Sequence, residues 1–253
     1  YAGVTNKLLA RKARKICVAY EGMEKFFPAE KIIMTGNPVR QNLLGHSASH
    51  EESVGFFGLN PAKKTILILG GSLGARTINQ TLTAGLEIIR ANPDIQFIWQ
   101  AGKIYIEQIR EAITTATGEP VRHPHVNAIP NLYVTDFIKD MANAYAAADL
   151  VISRAGAGSI SEFCLLHKPV ILVPSPNVAE DHQTKNALAL VNKDAAIYVK
   201  DAEAREKLLP TALATIADAG KLKSLSENIA RLALPDSAAV IAKEVLKLID
   251  NKE

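Results

Sequence analysis

Eight short apolar bursts, separated by segments of helical periodicity, constrain this chain more than any other feature. They lie at 15–19, 31–35, 65–69, 95–100, 132–137, 150–153, 170–173 and 196–199, and are rich in Ile, Val and Leu. Several show little alternation between apolar and polar residues. A strand that is apolar on both faces must be covered on both faces, which points to a mainly parallel sheet between helical layers. Ile78, Leu82, Leu86 and Ile89 repeat at helical spacing, as do Ile106, Ile109 and Ile113. A helix is predicted over 77–90, and three more at 203–219, 222–232 and 237–249. In the last, Val240, Ile241, Val245 and Leu248 form one face, and Ser237 after Pro235-Asp236 is a predicted N-cap. Strands alternating with helices predict an α/β, doubly wound domain.

Composition narrows the class. With 48% hydrophobic and 22% charged residues, the 253-residue chain reads as soluble and globular. No run approaches the roughly 20 apolar residues of a membrane-spanning helix. A net charge of +3 is too small to argue for nucleic acid. Cys17 and Cys164 do not form a disulfide framework, which favours a reducing compartment. The chain opens at Tyr1 rather than Met, so a piece of a longer protein is expected. A basic segment (Lys7, Arg11, Lys12, Arg14, Lys15) precedes the first strand, a domain junction is expected near 36–40, and the polar run 45–55 reads as loop or linker.

Five constellations carry polar chemistry, and each has a plainer structural explanation beside it. Gly70-Gly71-Ser72-Leu73-Gly74-Ala75-Arg76 follows a strand and opens a helix, which suits an anion held by backbone amides. It lacks both the Gly-Lys-Ser/Thr of a P-loop and the dinucleotide glycine spacing, and taken alone it reads better as a tight strand-to-helix turn. Gly156-Ala157-Gly158-Ser159-Ile160-Ser161-Glu162 offers a second set of amides. Its Glu162 can accept two hydrogen bonds from a ribose diol, or can close a capping box with Ser159. Glu180-Asp181-His182-Gln183-Thr184-Lys185-Asn186 can meet sugar hydroxyls, or can simply start a helix capped by Asp181. His182 has no partner at metal-ligand spacing and the chain has no Asp-x-Asp, so neither a metal nor a cofactor is expected. Gly36-Asn37-Pro38-Val39-Arg40 reads as an N-cap, a first-turn proline and either a surface arginine or an anion clamp. Phe137-Ile138-Lys139-Asp140-Met141 reads as a strand end entering a helix, or as a slot for a base.

Taken in order, Gly36-Asn37-Pro38-Val39-Arg40, Gly70–Arg76, Asp136-Phe137-Ile138, Ser153-Arg154-Ala155-Gly156-Ala157, Ser161-Glu162, Asp181-His182-Gln183 and Asn186-Ala187 resemble the MurG family. The resemblance spans nearly the whole chain. It implies the two-domain GT-B fold, with residues 1–38 as the tail of an N-terminal acceptor domain and 39–253 as the donor-binding domain. The helix at 237–249 would pack back toward the N-terminal part. It implies inverting transfer of N-acetylglucosamine from UDP-N-acetylglucosamine to lipid I, giving lipid II, at the cytoplasmic face of the inner membrane by peripheral association. It assigns Gly71, Ser72 and Gly74 to the diphosphate, Ile138 to uracil, and Gly158 and Ser159 to phosphate through their amides. Glu162 would bind the ribose hydroxyls, His182 and Gln183 the sugar, and Arg40 would lie near the phosphates. The general base and acceptor loops are not in this chain, so it should be inactive alone. Two other readings fit: another GT-B UDP-sugar enzyme, such as a glycolipid glycosyltransferase or an epimerase, and a non-catalytic nucleotide-binding module completed in trans.

Overall fold

The computed structural model describes residues 2–121, 129–178 and 181–250. Strand β3 (Lys64–Leu69) shows why the apolar runs are continuous. Ile66 and Ile68 point into one core and Leu67 and Leu69 into another, on opposite faces of the sheet. Strands β4 (Ile95–Gln100), β6 (Leu150–Ser153) and β7 (Val170–Leu172) divide in the same way: Trp99, Ile152 and Ile171 enter the first core, Ile98, Val151 and Leu172 the second. Both faces are therefore dry, and the period-2 signal of a half-exposed strand is lost.

With β5 (Leu132–Thr135) and β8 (Ile197–Tyr198), these strands form one sheet in the order β5-β4-β3-β6-β7-β8. Every neighbouring pair is parallel. The chain runs outward from β3 to β5, crosses back, and runs outward again from β6 to β8. The direction reverses between β3 and β6, so the carboxyl ends of those two strands border the crevice where open α/β sheets take ligands. Strand β5 stops two residues short of its expected end, and at that end the Thr135 hydroxyl donates to the Phe137 carbonyl (3.3 Å).

The first face is covered by α3 (Arg76–Ala84), α4 (Leu86–Ala91), α5 (Ile106–Thr117) and α9 (Ala204–Ala217). The helix expected at 77–90 is thus two helices meeting at Gly85. A Cβ on Gly85 would stand 2.1 Å from Leu209 Cδ1, so the break admits α9 against the joint. The second face carries α2 (His50–Phe56), α6 (Met141–Ala147), α7 (Ala157–Leu165) and α8 (His182–Val191). Helix α2 corrects the reading of 45–55 as a loop. Ser49 accepts from the Glu52 amide and Glu52 reaches back to the Ser49 amide, a complete capping box in a polar run.

Helices α10 (Ala219–Ala230) and α11 (Ser237–Asp250) close the chain. Ser237 is the first residue of α11 and not its cap: its hydroxyl donates to the Leu234 carbonyl at 2.9 Å. The N-terminal segment holds α1 (Val4–Ala10) and a parallel pair, β1 (Ile16–Val18) and β2 (Ile32–Met34), around a small core of Ala10, Val18, Met23 and Phe27. Arg14 donates to the Leu248 carbonyl of α11, and the Tyr20 hydroxyl donates to the Ala157 carbonyl of α7.

Candidate donor-binding site

The cleft at the β3–β6 reversal has a volume of about 720 Å³. Two strand-to-helix turns meet there, one from β3 into α3 and one from β6 into α7. Neither helix start has a side-chain cap: the N-cap residues are Ala75 and Gly156, and neither accepts from a first-turn amide through a side chain. Uncapped amides at two helix N-termini add their dipoles toward the same cleft, which favours an anion. The capping-box reading of Ser159 and Glu162 is overturned here. Ser159 is already the third residue of α7, and Glu162 turns elsewhere.

The first turn owes its shape to glycine. Gly71 and Gly74 have φ of +76° and +81°. A Cβ on Gly74 would lie 2.4 Å from the Ala101 carbonyl, while one on Gly71 would meet nothing within 4 Å. Gly74 is therefore packed against the β4–α5 connection and Gly71 is open to the cleft. Gln100 pins the turn, donating from Nε2 to the Gly71 carbonyl (2.9 Å) and the Asp136 carbonyl (3.0 Å).

Glu162 is buried and has three polar contacts. Arg40 Nε donates to Oε1 at 3.0 Å and Arg40 Nη2 to Oε2 at 3.4 Å; the Tyr145 hydroxyl donates to Oε2 at 2.7 Å. Arg40 arrives from the segment after β2, where the expected Asn37 cap and Pro38 first turn are also corrected. Residues 37–40 are not helical, and a single 3-10 turn, Gln41–Leu43, begins only after them. Asn37 instead spans to α7, donating from Nδ2 to Ser161 Oγ (3.0 Å) and the Ala157 carbonyl (3.4 Å). That tertiary contact outcompetes a local cap and carries Arg40 to the cleft. Burial, followed by the charge of Glu162, pushes the Tyr145 hydroxyl far above its ordinary value, so it remains a donor.

Of the residues singled out in the sequence, Arg40, Gly71, Ser72, Gly74, Ile138, Ser159, Glu162 and Gln183 line the cleft; Gly158 and His182 do not. Gly158 lies exposed on the first turn of α7, and His182 is the first residue of α8. Gln183 Oε1 accepts from the Ser175 amide at 2.9 Å, which leaves its NH2 group as the donor available to the cleft. Asp181, in the left-handed region with φ +51°, accepts from Thr184 Oγ1 and caps no backbone amide. Glu180 lies outside the described residues.

Tyr145, Arg154, Asp201 and Thr77 also line the cleft, and sequence reasoning gave none of them a role. Arg154 donates to the Val173 and Pro174 carbonyls (2.9 and 3.1 Å) and is paired with Asp201. Asp201 in turn accepts from Thr77 Oγ1 at 2.9 Å, on the first turn of α3. This chain ties the β6 turn to the β3 turn through the segment after β8. Arg154 stood inside a quoted motif, but nothing in a sequence marks Asp201 as its partner 47 positions on.

The model of the glycosyltransferase family 28 C-terminal domain matches residues 65–242. A protein of Bacteroides fragilis, named UDP-N-acetylglucosamine--N-acetylmuramyl-(pentapeptide) pyrophosphoryl-undecaprenol N-acetylglucosamine transferase, is 77% identical over 248 residues, which cover 98% of this chain and 63% of that protein. The chain therefore spans less than two thirds of that relative's length. Among solved structures, MurG of Acinetobacter baumannii superposes with a TM-score of 0.70 at 27% identity, over 97% of this chain and 64% of that one. A UDP-GlcNAc 2-epimerase of Neisseria meningitidis, solved bound to UDP-GlcNAc, gives 0.63 at 15% identity over 96% of this chain and 63% of that one, a likeness of fold alone.

Proposed function

The chain belongs to glycosyltransferase family 28, and on that premise we propose that it forms the donor site of an N-acetylglucosaminyltransferase that converts lipid I to lipid II. The observation that carries the reading is the convergence of two uncapped helix N-termini, α3 and α7, on one cleft that also holds Glu162, Ile138 and Gln183. UDP-N-acetylglucosamine has groups to match: a diphosphate for the two helix starts, a ribose diol for Glu162, a base for the slot at Ile138, and sugar hydroxyls for Gln183 with His182. Gly71, Ser72 and Gly74 would cradle the diphosphate from one side, and the amides of Gly158 and Ser159 from the other.

The reaction is a displacement with inversion. An acceptor hydroxyl attacks the anomeric carbon, the bond to the diphosphate oxygen breaks, and UDP leaves. Negative charge grows on the leaving diphosphate, and fixed amide dipoles aimed at that position stabilise it without reorganising. Arg40 adds a cation when it is not engaged by Glu162. We assign residues 1–38 to the tail of the acceptor domain and 39–253 to the donor domain. The general base and acceptor site we assign to the portion of the relatives that this chain does not span, so the isolated chain should turn over no lipid I.

We assign the enzyme to the cytoplasmic face of the membrane, held peripherally. In support, α1 exposes Val4, Leu8 and Leu9 beside Arg11, Lys12 and Lys7, the last over the Phe26 ring. Binding to anionic vesicles that weakens with salt and with Leu8→Asp is the expected behaviour.

Calorimetry tests the donor assignment. UDP-N-acetylglucosamine and UDP should bind, and UDP-glucose should bind more weakly than the N-acetyl sugar. Absence of binding to UDP and UDP-N-acetylglucosamine at millimolar concentration would remove the reading. Epimerisation of UDP-N-acetylglucosamine by the chain would replace it with the epimerase alternative.

A further inference from the structure

Glu162 has two kinds of partner, and they differ in how easily each can leave. The Arg40 side chain is 53% exposed, and its guanidinium spans both carboxylate oxygens from the cleft side. Tyr145 is 2% exposed; its ring sits edge-on to Phe163 with centroids 6.0 Å apart, and its hydroxyl has the shorter contact to Oε2. Removing Arg40 from Glu162 exposes an already half-solvated cation. Removing Tyr145 would require opening the second core.

We propose that Tyr145 is a positioning residue for nucleotide recognition: it fixes the Glu162 carboxylate in the orientation that reads a ribose diol, while Arg40 is a placeholder that the diol displaces. The inference rests on Glu162 being the ribose reader. A guanidinium edge and a cis-diol present the same pattern to a carboxylate, two adjacent donors facing two oxygens. The diol can therefore take over the acceptors that Arg40 vacates, and Arg40 is released beside the diphosphate, where it gains a new anion. The Tyr145 contact persists through the exchange. Without it, the carboxylate can rotate about its last bond, and the two oxygens no longer meet both hydroxyls.

The test is the ratio of affinities for UDP and 2′-deoxy-UDP, a quantity that a merely structural tyrosine would not move. The wild-type chain should favour UDP by at least about tenfold, as for a site built to bond a hydroxyl. Tyr145→Phe, checked for an intact melt, should lower that ratio about tenfold, the equivalent of one charge-assisted hydrogen bond. Arg40→Ala should weaken both nucleotides by the same factor and keep the ratio. A folded Tyr145→Phe variant with the wild-type ratio would overturn the proposal. So would a ratio that collapses in Arg40→Ala, an arm that holds even if Tyr145→Phe does not fold. Glu162→Gln separates the two levels. If it leaves the ratio unchanged, the ribose assignment itself fails and the inference with it. If it lowers the ratio while folded Tyr145→Phe does not, only the role of Tyr145 is lost.

Discussion

Replacing Gly71 and Gly74 by alanine, one at a time, separates what the first glycine turn does for folding from what it does for binding. Both residues sit in the left-handed region, with φ of +76° and +81°. An L-residue there costs about 1–2 kcal/mol, partly offset by the ~0.4–1 kcal/mol gained from restricting the unfolded chain. For Gly71→Ala that is the whole cost, about 1 kcal/mol, because the new Cβ meets nothing within 4 Å. For Gly74→Ala the new Cβ falls 2.4 Å from the Ala101 carbonyl and 2.5 Å from Tyr105 Cδ2. The backbone cannot yield, because a Cβ on facing Gly102 would itself lie 2.5 Å from the Gly74 nitrogen, so the two glycines already touch. Overpacking adds about 1–3 kcal/mol, bringing the total to about 3 kcal/mol. Urea denaturation should therefore rank Gly74→Ala well below Gly71→Ala in stability. Calorimetry with UDP should invert the interest of the pair: Gly71→Ala, nearly as stable as wild type, should bind at least about tenfold more weakly, since its methyl projects where a diphosphate must approach. Equal stability of the two variants would refute the packing argument. Wild-type affinity in Gly71→Ala would refute the cradle.

Other perturbations follow from the same structure. Arg154→Ala leaves the largely buried Asp201 with Thr77 alone and should cost about 3 kcal/mol in urea denaturation, near the low end for breaking a buried pair. Asp140 caps α6 through the Asn143 amide, and that bond, ahead of its other neighbours, holds its carboxyl below the usual range. A lowered folded value means stability that is present above the unfolded pKa, about 4, and is lost as pH falls through the folded value. Asp140→Ala should thus melt lower than wild type at pH 7 by the equivalent of about 1 kcal/mol, and the gap should narrow as pH falls through the folded value.

The sheet was legible because its strands are apolar on both faces, and a run such as Ile66–Leu69 admits few other fates. The helix over 77–90 was legible in its periodicity but not in its break. Gly85 reads as a tolerated helix glycine until Leu209, from a helix far along the chain, is packed against it. The capping box of Ser49 and Glu52 lies inside a run whose polarity reads as loop or linker, whereas the matching pattern at Ser159 and Glu162 does not cap. Local pattern cannot tell these apart: the deciding fact is that Arg40 and Tyr145 converge on Glu162 from segments 122 and 17 positions away. The glycine turns announced the cleft, since their residues are contiguous. The Arg154–Asp201–Thr77 link did not, because each member has an ordinary place in its own segment and acquires meaning only across the sheet. Tyr145 was hidden for a different reason: on an apolar helix face, a buried tyrosine looks like core until its hydroxyl is followed to its partner.

The central claim is that the two helix starts grip one diphosphate together. It is tested most directly by titrating the ¹⁵N-labelled chain with UDP-N-acetylglucosamine and following the backbone amides by NMR. The amides of Gly71–Ala75 and of Ala157–Ser159 should shift in parallel, with one shared dissociation constant. Shifts confined to one of the two turns, or centred away from the β3–β6 crevice, would contradict the account.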